Sequence, residues 1–257
     1  MRVLLLSDIH SNLEALEACL AAAPPHDLVV NLGDVVGYGA SPNQVIERTR
    51  GLGDIFVRGN HDKAASGAME LRDFNPIAGL AALWTRDQLV PEHLTWLRAL
   101  PQGPVQISEL PGVQFVHGSP VDEDEYVVTL RDAIEPLLTS ATPVTFFGHT
   151  HLQGGFSTNN IASDYFRPVY NTVGQSEATE FPLKEGMRYL VNPGSVGQPR
   201  DGDNRACYVI LDDGPNEDVV DSTDEDGMPV RSPGITYRRV PYDFETTIRK
   251  INDSGLS

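Results

Sequence analysis

Short apolar runs recur along the chain, and each is followed closely by polar residues. The runs are Val3–Leu6, Leu28–Val30, Ile55–Val57, Val113–Val116 and Val144–Phe147. A continuous apolar run of this length, bounded by turn residues, is typical of a strand that is buried on both faces. Between several of these runs, apolar residues recur at helical spacing. The alternation of predicted strands and helices indicates an α/β fold.

Two helices are predicted in the first fifty residues. Ser11–Glu14 has the form of a capping box, and Ser41–Gln44 combines a serine cap with proline at the first helical position and a returning glutamine. The first of these helices presents one apolar face, which consists of Leu13, Leu16, Leu20 and Ala23. Cys19 lies on that face, and we interpret it as a small core residue.

The strand pattern stops between Lys63 and Leu100. Apolar residues here recur at helical spacing, namely Ile77, Leu80, Ala81, Trp84, Leu94, Leu97 and Leu100. We therefore predict a helical insertion near residues 63–100 that covers the sheet, with its aromatic residues in the core.

The second half is richer in strands. The pattern predicts one helix near Leu130–Leu138, strands at Arg188–Val191 and Ala206–Leu211, and a capped closing helix at Asp243–Ile251. The acidic segment Leu211–Gly227 is predicted to be a solvated hairpin or mobile loop. A chain of 257 residues suits one domain, so we predict that residues 1–257 form a single domain.

Carboxylates, an amide and imidazoles cluster just after the predicted strands. The segments are Asp8–His10, Gly33–Asp34, Gly59–Asp62, Val116–Gly118 and Gly148–His151. In an open α/β sheet, such residues converge outside the carboxyl ends of the strands. Oxygen and imidazole nitrogen ligands suit divalent transition metals, and none of these segments contains a thiolate.

The number of possible ligands suggests two ions. The candidates are Asp8, His10, Asp34, Asn60, His117, His149 and His151. A single carboxylate such as Asp34 can bridge two ions about 3.5–4 Å apart. Sharing Asp34 would give each ion about four protein ligands and leave positions for water and substrate, as a catalytic site requires.

In order and spacing, these segments resemble the calcineurin-like metallophosphoesterase superfamily, whose signature is DxH, GD, GNH[DE], a lone H and GHxH. The resemblance runs from Met1 to about Arg200. The segment Asn192–Arg200 further resembles the small bacterial phosphodiesterase and diadenosine-tetraphosphatase-like branch.

The resemblance implies a four-layer αββα sandwich of two mixed β-sheets flanked by helices, with a dimetal site at one edge. It also implies a phosphoesterase that uses metal-activated hydroxide on small phosphodiester or nucleotide-type substrates. The implied cofactors are two divalent ions per chain, chosen from Mn, Fe, Zn or Ni. One ion would bind Asp8, His10, Asp34 and His151, and the other Asp34, Asn60, His117 and His149.

Further residues near these segments are candidates for chemistry or substrate binding. His61 is placed to protonate the leaving alkoxide or to stabilise its charge. Asp62 could orient His61 or cap the following helix. Asn12 could donate to a phosphate oxygen or simply begin a helix, and Arg200 could hold a second phosphate or remain a surface residue. Two loop tyrosines could stack on a nucleobase, Tyr38 and Tyr126.

The charge balance narrows the choice of substrate. The chain has 36 acidic and 19 basic residues and a formal net charge of −17. This argues against long nucleic acids, which need basic patches, and favours a small phosphorylated substrate. The acidic loop Asp122–Glu125 beside His117 would also repel a polyanion.

The start of the chain and its cysteines bear on location. The apolar run before Ser7 has only four residues, Val3–Leu6, which is too short for a signal-peptide core, and no apolar stretch is long enough to span a bilayer. Cys19 and Cys207 do not form a CxxC pattern. We therefore predict a cytoplasmic protein without a membrane partner.

Two alternative functions fit the motifs less well. A protein serine/threonine phosphatase typically carries GDxVDRG, whereas the residues after Gly33 and Asp34 lack the Asp-Arg pair, and it lacks the second histidine of the Gly148–His151 segment. A catalytically silent metal-binding scaffold would be expected to have lost His61 or a ligand. Every ligand is present here.

Overall fold

The computed structural model describes residues 1–53, 55–72, 74–213, 222–223, 229–230 and 233–256. The strands are β1 (Arg2–Leu6), β2 (Leu28–Asn31), β3 (Ile55–Phe56), β4 (Val113–Phe115), β5 (Val144–Phe146), β6 (Gly154–Thr158), β7 (Ser163–Phe166), β8 (Glu177–Pro182), β9 (Arg188–Asn192), β10 (Ala206–Asp212), β11 (Ser222–Thr223), β12 (Pro229–Val230) and β13 (Gly234–Val240). The helices are α1 (Leu13–Ala22), α2 (Pro42–Arg50), α3 (Asn60–Ser66), α4 (Pro76–Gln88), α5 (Pro91–Ala99), α6 (Leu130–Thr139) and α7 (Phe244–Ser254).

Two mixed sheets form the centre of the fold. The first has the strand order β3-β2-β1-β10-β13-β8, in which β1, β2 and β3 are parallel and β10 is antiparallel to β1. The second has the order β4-β5-β9-β6-β7, in which β4, β5 and β9 are parallel. The five apolar runs near the ligand segments all form strands, as predicted.

Strand β1 shows how the layers are built, because its side chains alternate between two cores. Leu4 and Leu6 pack with residues of α1 and α2 in one apolar cluster, whereas Val3 and Leu5 join a second cluster with residues of the other sheet. A third cluster places α6 residues such as Leu137 against the second sheet. The order is therefore helix, sheet, sheet, helix, which confirms the predicted αββα sandwich.

The helix starts differ in detail from the sequence prediction. Asn12, not Ser11, is the N-cap of α1, and its side-chain oxygen accepts from the Ala15 N–H. Ser11 has a φ of 54°, so it belongs to the turn before the helix. Ser41 precedes α2 with proline at the first position, as predicted, but its side chain makes no capping hydrogen bond.

The predicted helical insertion is present as α3, α4 and α5, but one predicted apolar face is wrong. Ile77 is 71% exposed and Leu80 is 68% exposed, whereas Ala81 is buried. The buried face of α4 consists mainly of small residues, namely Ala78, Gly79, Ala81, Ala82 and Thr85. Small side chains let α4 approach its neighbours closely, so the larger residues are left on the outer face.

The helix, the two strands and the closing helix predicted for the second half are present. The predicted strands correspond to β9 and β10, and Asp243 caps α7 by accepting from the Thr246 N–H. In the acidic segment 211–227, β11 pairs with β12, which lies just after the segment, and most of the other residues of the segment lie outside the described part of the chain. A search of the described residues finds no helix with the length and apolar character needed to cross a membrane.

Candidate metal centre

The predicted ligand residues come together at one edge of the two sheets, because each follows the carboxyl end of a strand. The first sheet contributes the residues after β1, β2 and β3, and the second sheet contributes those after β4 and β5. Two groups of possible ligand atoms result: Asp8, His10, Asp34 and His151 form one, and Asp34, His117 and His149 form the other. All these side chains are buried, and Asp34 belongs to both groups.

Several of these residues adopt the left-handed backbone conformation. The φ angles are 53° for Asp8, 50° for His10, 53° for Asp34, 65° for His149 and 59° for His151. Residues with side chains rarely adopt this region, and such strain is concentrated at functional sites. The backbone is thus bent sharply after each strand, which turns successive polar side chains toward one point.

Asp34 lies between the two groups of imidazoles. Its Oδ2 atom is 3.7 Å from His10 Nε2 and 3.4 Å from His117 Nε2, and its Oδ1 atom accepts from the His61 backbone N–H at 2.8 Å. Gly59 lies directly against this carboxylate, since a Cβ atom there would be 2.0 Å from Asp34 Oδ1. The glycine of the Gly59–Asp62 segment is therefore required by the close approach of Asp34.

Asp8 is held by donors from three parts of the chain. Its Oδ2 atom accepts from the Ser7 hydroxyl at 2.6 Å, and the His149 backbone N–H lies 3.2 Å from both carboxylate oxygens. Its Oδ1 atom faces His151 Nε2 at 3.3 Å. Ser195 fixes the backbone by donating to the Asp8 carbonyl. The Asn192–Arg200 segment thus supports the site from behind.

The imidazoles of His10 and His151 test whether the site fits a cation. His10 Nδ1 is 3.1 Å from the Val36 carbonyl and His151 Nδ1 is 2.6 Å from the Gln198 carbonyl. A carbonyl can only accept, so each Nδ1 atom carries the proton and each Nε2 atom presents a lone pair. These two Nε2 atoms lie 3.0 Å apart. Facing lone pairs in a buried site call for a cation, so the residues fit a metal ion.

Backbone carbonyls also orient the imidazoles of the second group. His117 Nδ1 donates to the Leu32 carbonyl at 2.8 Å, which directs Nε2 toward Asp34 and toward Asn60 Oδ1 at 3.2 Å. His149 is reversed, because its Nε2 atom faces the Asp124 carbonyl at 3.1 Å and Nδ1 is left to bind. Such outer hydrogen bonds fix the ring orientation of metal-binding histidines.

The pKa values of the two histidines in the second group are shifted in opposite directions. Burial lowers the pKa of His117, but the Asp34 carboxylate outweighs this effect and raises the pKa to about 10. Burial lowers the pKa of His149 to about 3, and the neighbouring His117 adds to this effect. In the metal-free chain, the proton on His117 therefore supplies the charge that balances Asp34.

His61 lies over the first group without being needed as a ligand. Its ring is buried, with its centroid 4.8 Å from that of His10, and Nδ1 has no hydrogen-bond partner among the described residues. Asp62 does not hold His61. Its carboxylate accepts from the backbone N–H groups of Gly59 and Val36, so the capping interpretation of Asp62 is the one that the structure supports.

The two predicted substrate-binding residues occupy different environments. Asn12 is buried, and its amide donates to the Gly197 carbonyl at 3.0 Å while its oxygen caps α1. Arg200 is exposed and donates to Gln198 Oε1 at 2.8 Å, with its guanidinium 5.9 Å from the ring centroid of Tyr38. Only Arg200 therefore has a side chain at the open side of the site, and substrate contact by either residue stays a prediction.

Two tyrosines line the same opening. The ring centroid of Tyr38 is 4.6 Å from that of His61, and the ring centroid of Tyr126 is 3.8 Å from that of His149. Tyr126 is 52% exposed. Tyr38 therefore lies beside the first group of ligands and Tyr126 beside the second, with Arg200 next to Tyr38.

The acidic loop Asp122–Glu125 is more nearly neutral than the sequence suggests. Glu123 accepts from Arg58 Nε at 2.8 Å and Nη2 at 2.7 Å, and Lys63 Nζ lies 2.6 Å from an Asp124 oxygen. Arg58 and Lys63 were not identified as site residues from the sequence, although they flank the Gly59–Asp62 segment. Two of the carboxylates expected to repel a polyanion are therefore paired.

Comparisons with known proteins agree with this geometry. A model of the calcineurin-like phosphoesterase superfamily domain matches residues 1–214. An uncharacterized protein of Methanocaldococcus jannaschii is 35% identical over 213 residues, which are 82% of this chain and 82% of that protein.

Solved structures extend the likeness to the whole chain. The crystal structure of a metallophosphoesterase from Sphaerobacter thermophilus has a TM-score of 0.74 and 36% identity, and the match covers 100% of this chain and 95% of that one. A hypothetical protein from Pyrococcus horikoshii OT3 has the same fold, with a TM-score of 0.70 at 16% identity over 100% of this chain and 94% of that one. The match of the family model over most of the sequence confirms the resemblance found in the motifs: the chain belongs to the calcineurin-like phosphoesterase superfamily.

Proposed function

We propose that this chain is a phosphoesterase that depends on two divalent ions and hydrolyses small phosphodiester or nucleotide-type substrates. The observation that carries the proposal is the position of Asp34 between His10 and His117, which makes one carboxylate available to two ions. The ions would be Mn, Fe, Zn or Ni, since imidazole and carboxylate together suit these metals. Site 1 would comprise Asp8, His10, Asp34 and His151, and site 2 would comprise Asp34, Asn60, His117 and His149.

The chain's own residues would divide the work of phosphoryl transfer. Ions bound at the two sites would supply Lewis acidity toward phosphoryl oxygens and an activated water. Burial raises the pKa values of Asp8 and Asp34, but the neighbouring imidazoles outweigh this effect and lower them, so both carboxylates would be charged and would hold the ions. His61 would protonate the leaving oxygen or stabilise its charge, because its ring lies beside site 1, with its centroid 4.8 Å from that of His10.

The surroundings of the opening favour a compact substrate with an aromatic part. Tyr38 and Tyr126 offer ring faces or edges on the two sides, and Arg200 offers a guanidinium for a further phosphate or polar group. Aromatic rings stack on nucleobases without requiring a specific base. A dinucleotide or a nucleoside polyphosphate would use both features, whereas a small synthetic diester would use only the metals.

The test is reconstitution of the metal-free protein with Mn, Ni, Zn, Fe or Mg, followed by assay of phosphodiesters, phosphomonoesters and dinucleoside polyphosphates. We expect activity with at least one transition metal, a preference for diesters or nucleotides, and loss of activity in His117→Ala. Protein that binds ions in both sites yet hydrolyses none of these substrates would overturn the proposed activity. Selective hydrolysis of phosphoserine peptides would instead indicate a protein phosphatase.

A further inference from the structure

Two basic residues lie on either side of Asn60 in the sequence, and both form ion pairs with a loop that is distant from them in the chain. Arg58 donates two hydrogen bonds to Glu123, at 2.8 and 2.7 Å, and Lys63 Nζ reaches both oxygens of Asp124, at 2.7 and 2.6 Å. Lys63 also lies 3.1 Å from Glu123. We call these four residues, Arg58, Lys63, Glu123 and Asp124, the ionic clasp.

Lys63 is unusual within the clasp because its side chain is buried. Only 8% of it is exposed, against 27% for Arg58 and 40% for Asp124. A buried ammonium group requires paired acceptors, and the removal of one member leaves the other charges uncompensated. Lys63 therefore places Asp124 in one position with respect to α3, the helix that carries Asn60 and His61.

The clasp reaches the metal centre through a backbone atom. The carbonyl oxygen of Asp124 is 3.1 Å from His149 Nε2. Because a carbonyl only accepts, this contact holds the proton on Nε2 and directs the Nδ1 lone pair toward Asp34 and His117. One residue thus pairs with Lys63 through its side chain and orients a predicted ligand through its main chain.

The carbonyl of Asp124 is supported differently from the carbonyls of Val36 and Leu32, which orient the imidazoles of His10 and His117. Val36 and Leu32, which face His10 and His117, lie in the segment that directly follows β2. Asp124 lies in a stretch without helix or strand, between β4 and α6. Backbone hydrogen bonds within the loop hold the residues on either side of Asp124, such as the one from the Gly118 N–H to the Glu123 carbonyl at 3.0 Å. The ion pair with Lys63 is the contact that ties Asp124 itself to α3.

We propose that Lys63 is a positioning residue for site 2: by pairing with Asp124 it holds the imidazole of His149 in the orientation that binds the ion. This inference rests on the proposed dimetal function. The clasp lies beside Asn60, His117 and His149 and contacts none of the residues unique to site 1. Loss of Lys63 should therefore weaken one ion and spare the other.

The experiment compares metal binding by Lys63→Met and Lys63→Arg with the unaltered protein. Calorimetric titration of the metal-free protein with Mn²⁺ gives the two binding steps, and His151→Ala and His117→Ala assign them to site 1 and site 2. We expect Lys63→Met to weaken site 2 about 10- to 100-fold, as loss of outer-shell support commonly does, and to leave site 1 within about twofold. Lys63→Arg, which keeps the charge, should restore most of the affinity.

A matched control and a spectroscopic signal separate positioning from general loss of structure. Arg48→Met removes the exposed ion pair between Arg48 and Glu17, where the side chains are 40% and 48% exposed, and should change neither step. The ¹⁵N spectrum of the His149 imidazole should show a proton on Nε2 in the unaltered protein and a mixture of tautomers in Lys63→Met. Catalysis by Lys63→Met should recover at high metal concentration.

The outcomes distinguish the inference from the function on which it rests. If the unaltered protein binds one ion, the dimetal function fails. If it binds two and Lys63→Met retains the affinity of site 2, or loses both sites equally while folded, the positioning role is wrong. Should Lys63→Met not fold, Asp124→Asn decides the question, because it keeps the size and the carbonyl and removes only the paired charge. Unchanged site 2 affinity in that variant would also overturn the proposal.

Discussion

His10 and His151 face each other through atoms that both accept hydrogen bonds. Their Nε2 atoms are 3.0 Å apart, while each Nδ1 atom donates to a backbone carbonyl. Burial lowers the pKa of His10 well below its ordinary value, so a proton does not readily relieve the contact. The folded protein therefore holds two nitrogen lone pairs close together, and a bound cation would remove the repulsion between them.

Chelation of divalent ions should lower the thermal stability of the protein. Bound ions stabilise only the folded state, by about 2.7 kcal/mol when the free ion is at about a hundred times Kd. Thermal unfolding with and without a chelator measures the difference. A chelator that has been saturated with metal beforehand is the control, and an identical Tm in both conditions would argue against a metal centre.

Replacement of the shared carboxylate should affect both ions. Asp34→Asn keeps the size of the side chain but removes the charge that lies 3.7 Å from His10 and 3.4 Å from His117. We expect it to weaken both binding steps, whereas His151→Ala should weaken mainly one. Elemental analysis after dialysis checks this. One tightly held metal per chain, unchanged in Asp34→Asn, would contradict the bridging role.

Loss of His61 should reduce the rate without removing the ions. The alanine variant keeps the backbone N–H that donates to Asp34 at 2.8 Å, so site 1 and site 2 should remain intact. A general acid contributes about 10²–10⁴ in rate, and the loss should be greatest for leaving groups of high pKa. Rates for alkyl and nitrophenyl esters, with metal content as control, test this. Equal losses on both would exclude general-acid catalysis while leaving charge stabilisation possible.

Arg200 should affect KM for large substrates more than for small ones. Its side chain is exposed and bound to Gln198, so its contribution should be that of an exposed contact, about 1 kcal/mol or about fivefold in KM. We expect this change in Arg200→Ala for a dinucleoside polyphosphate and little change for a small synthetic diester. A similar response of both substrates would show that Arg200 supports its loop and does not contact substrate.

Metal uptake at site 2 should release a proton from His117. Burial lowers the pKa of His117, but the interactions with Asp34 have the larger combined effect and raise it to about 10. The imidazole is therefore protonated near pH 7 when no metal is bound. The ion must displace this proton, and site 2 affinity should therefore rise with pH up to about 10. Calorimetry in buffers of different ionisation enthalpy should detect about one proton released per ion at this site. His151→Ala, which removes a ligand of site 1 only, should leave this release unchanged.

The strands and the order of the polar segments that follow them could be predicted from the amino-acid sequence alone. Buried strands require continuous apolar runs, and ligands placed at strand ends follow directly from the chain direction, so Asp8, Asp34 and His117 could be assigned without coordinates. The family resemblance then predicted both the layer order and the grouping of ligands. Asn12 illustrates the limit of this approach, because helix capping and phosphate binding favour the same residue type.

The face of a helix that becomes buried was decided by the tertiary structure. Apolar spacing predicted that Ile77 and Leu80 face the core, but they lie on the outside of α4 while Ala81 and Ala82 are buried. Periodicity shows that a helix has an apolar stripe, whereas the space beside the neighbouring helices decides which stripe fits.

The ion pairs between residues that are far apart in the sequence could not be predicted from the sequence either. The sequence showed an acidic loop near His117, and only the structure placed Glu123 on Arg58, 65 residues away, and Asp124 on Lys63, 61 residues away. Local patterns reflect the backbone and the burial of neighbouring residues, which a sequence records directly. Contacts between distant side chains depend on how the two sheets pack together, so the clasp and its link to His149 exist only in the folded chain.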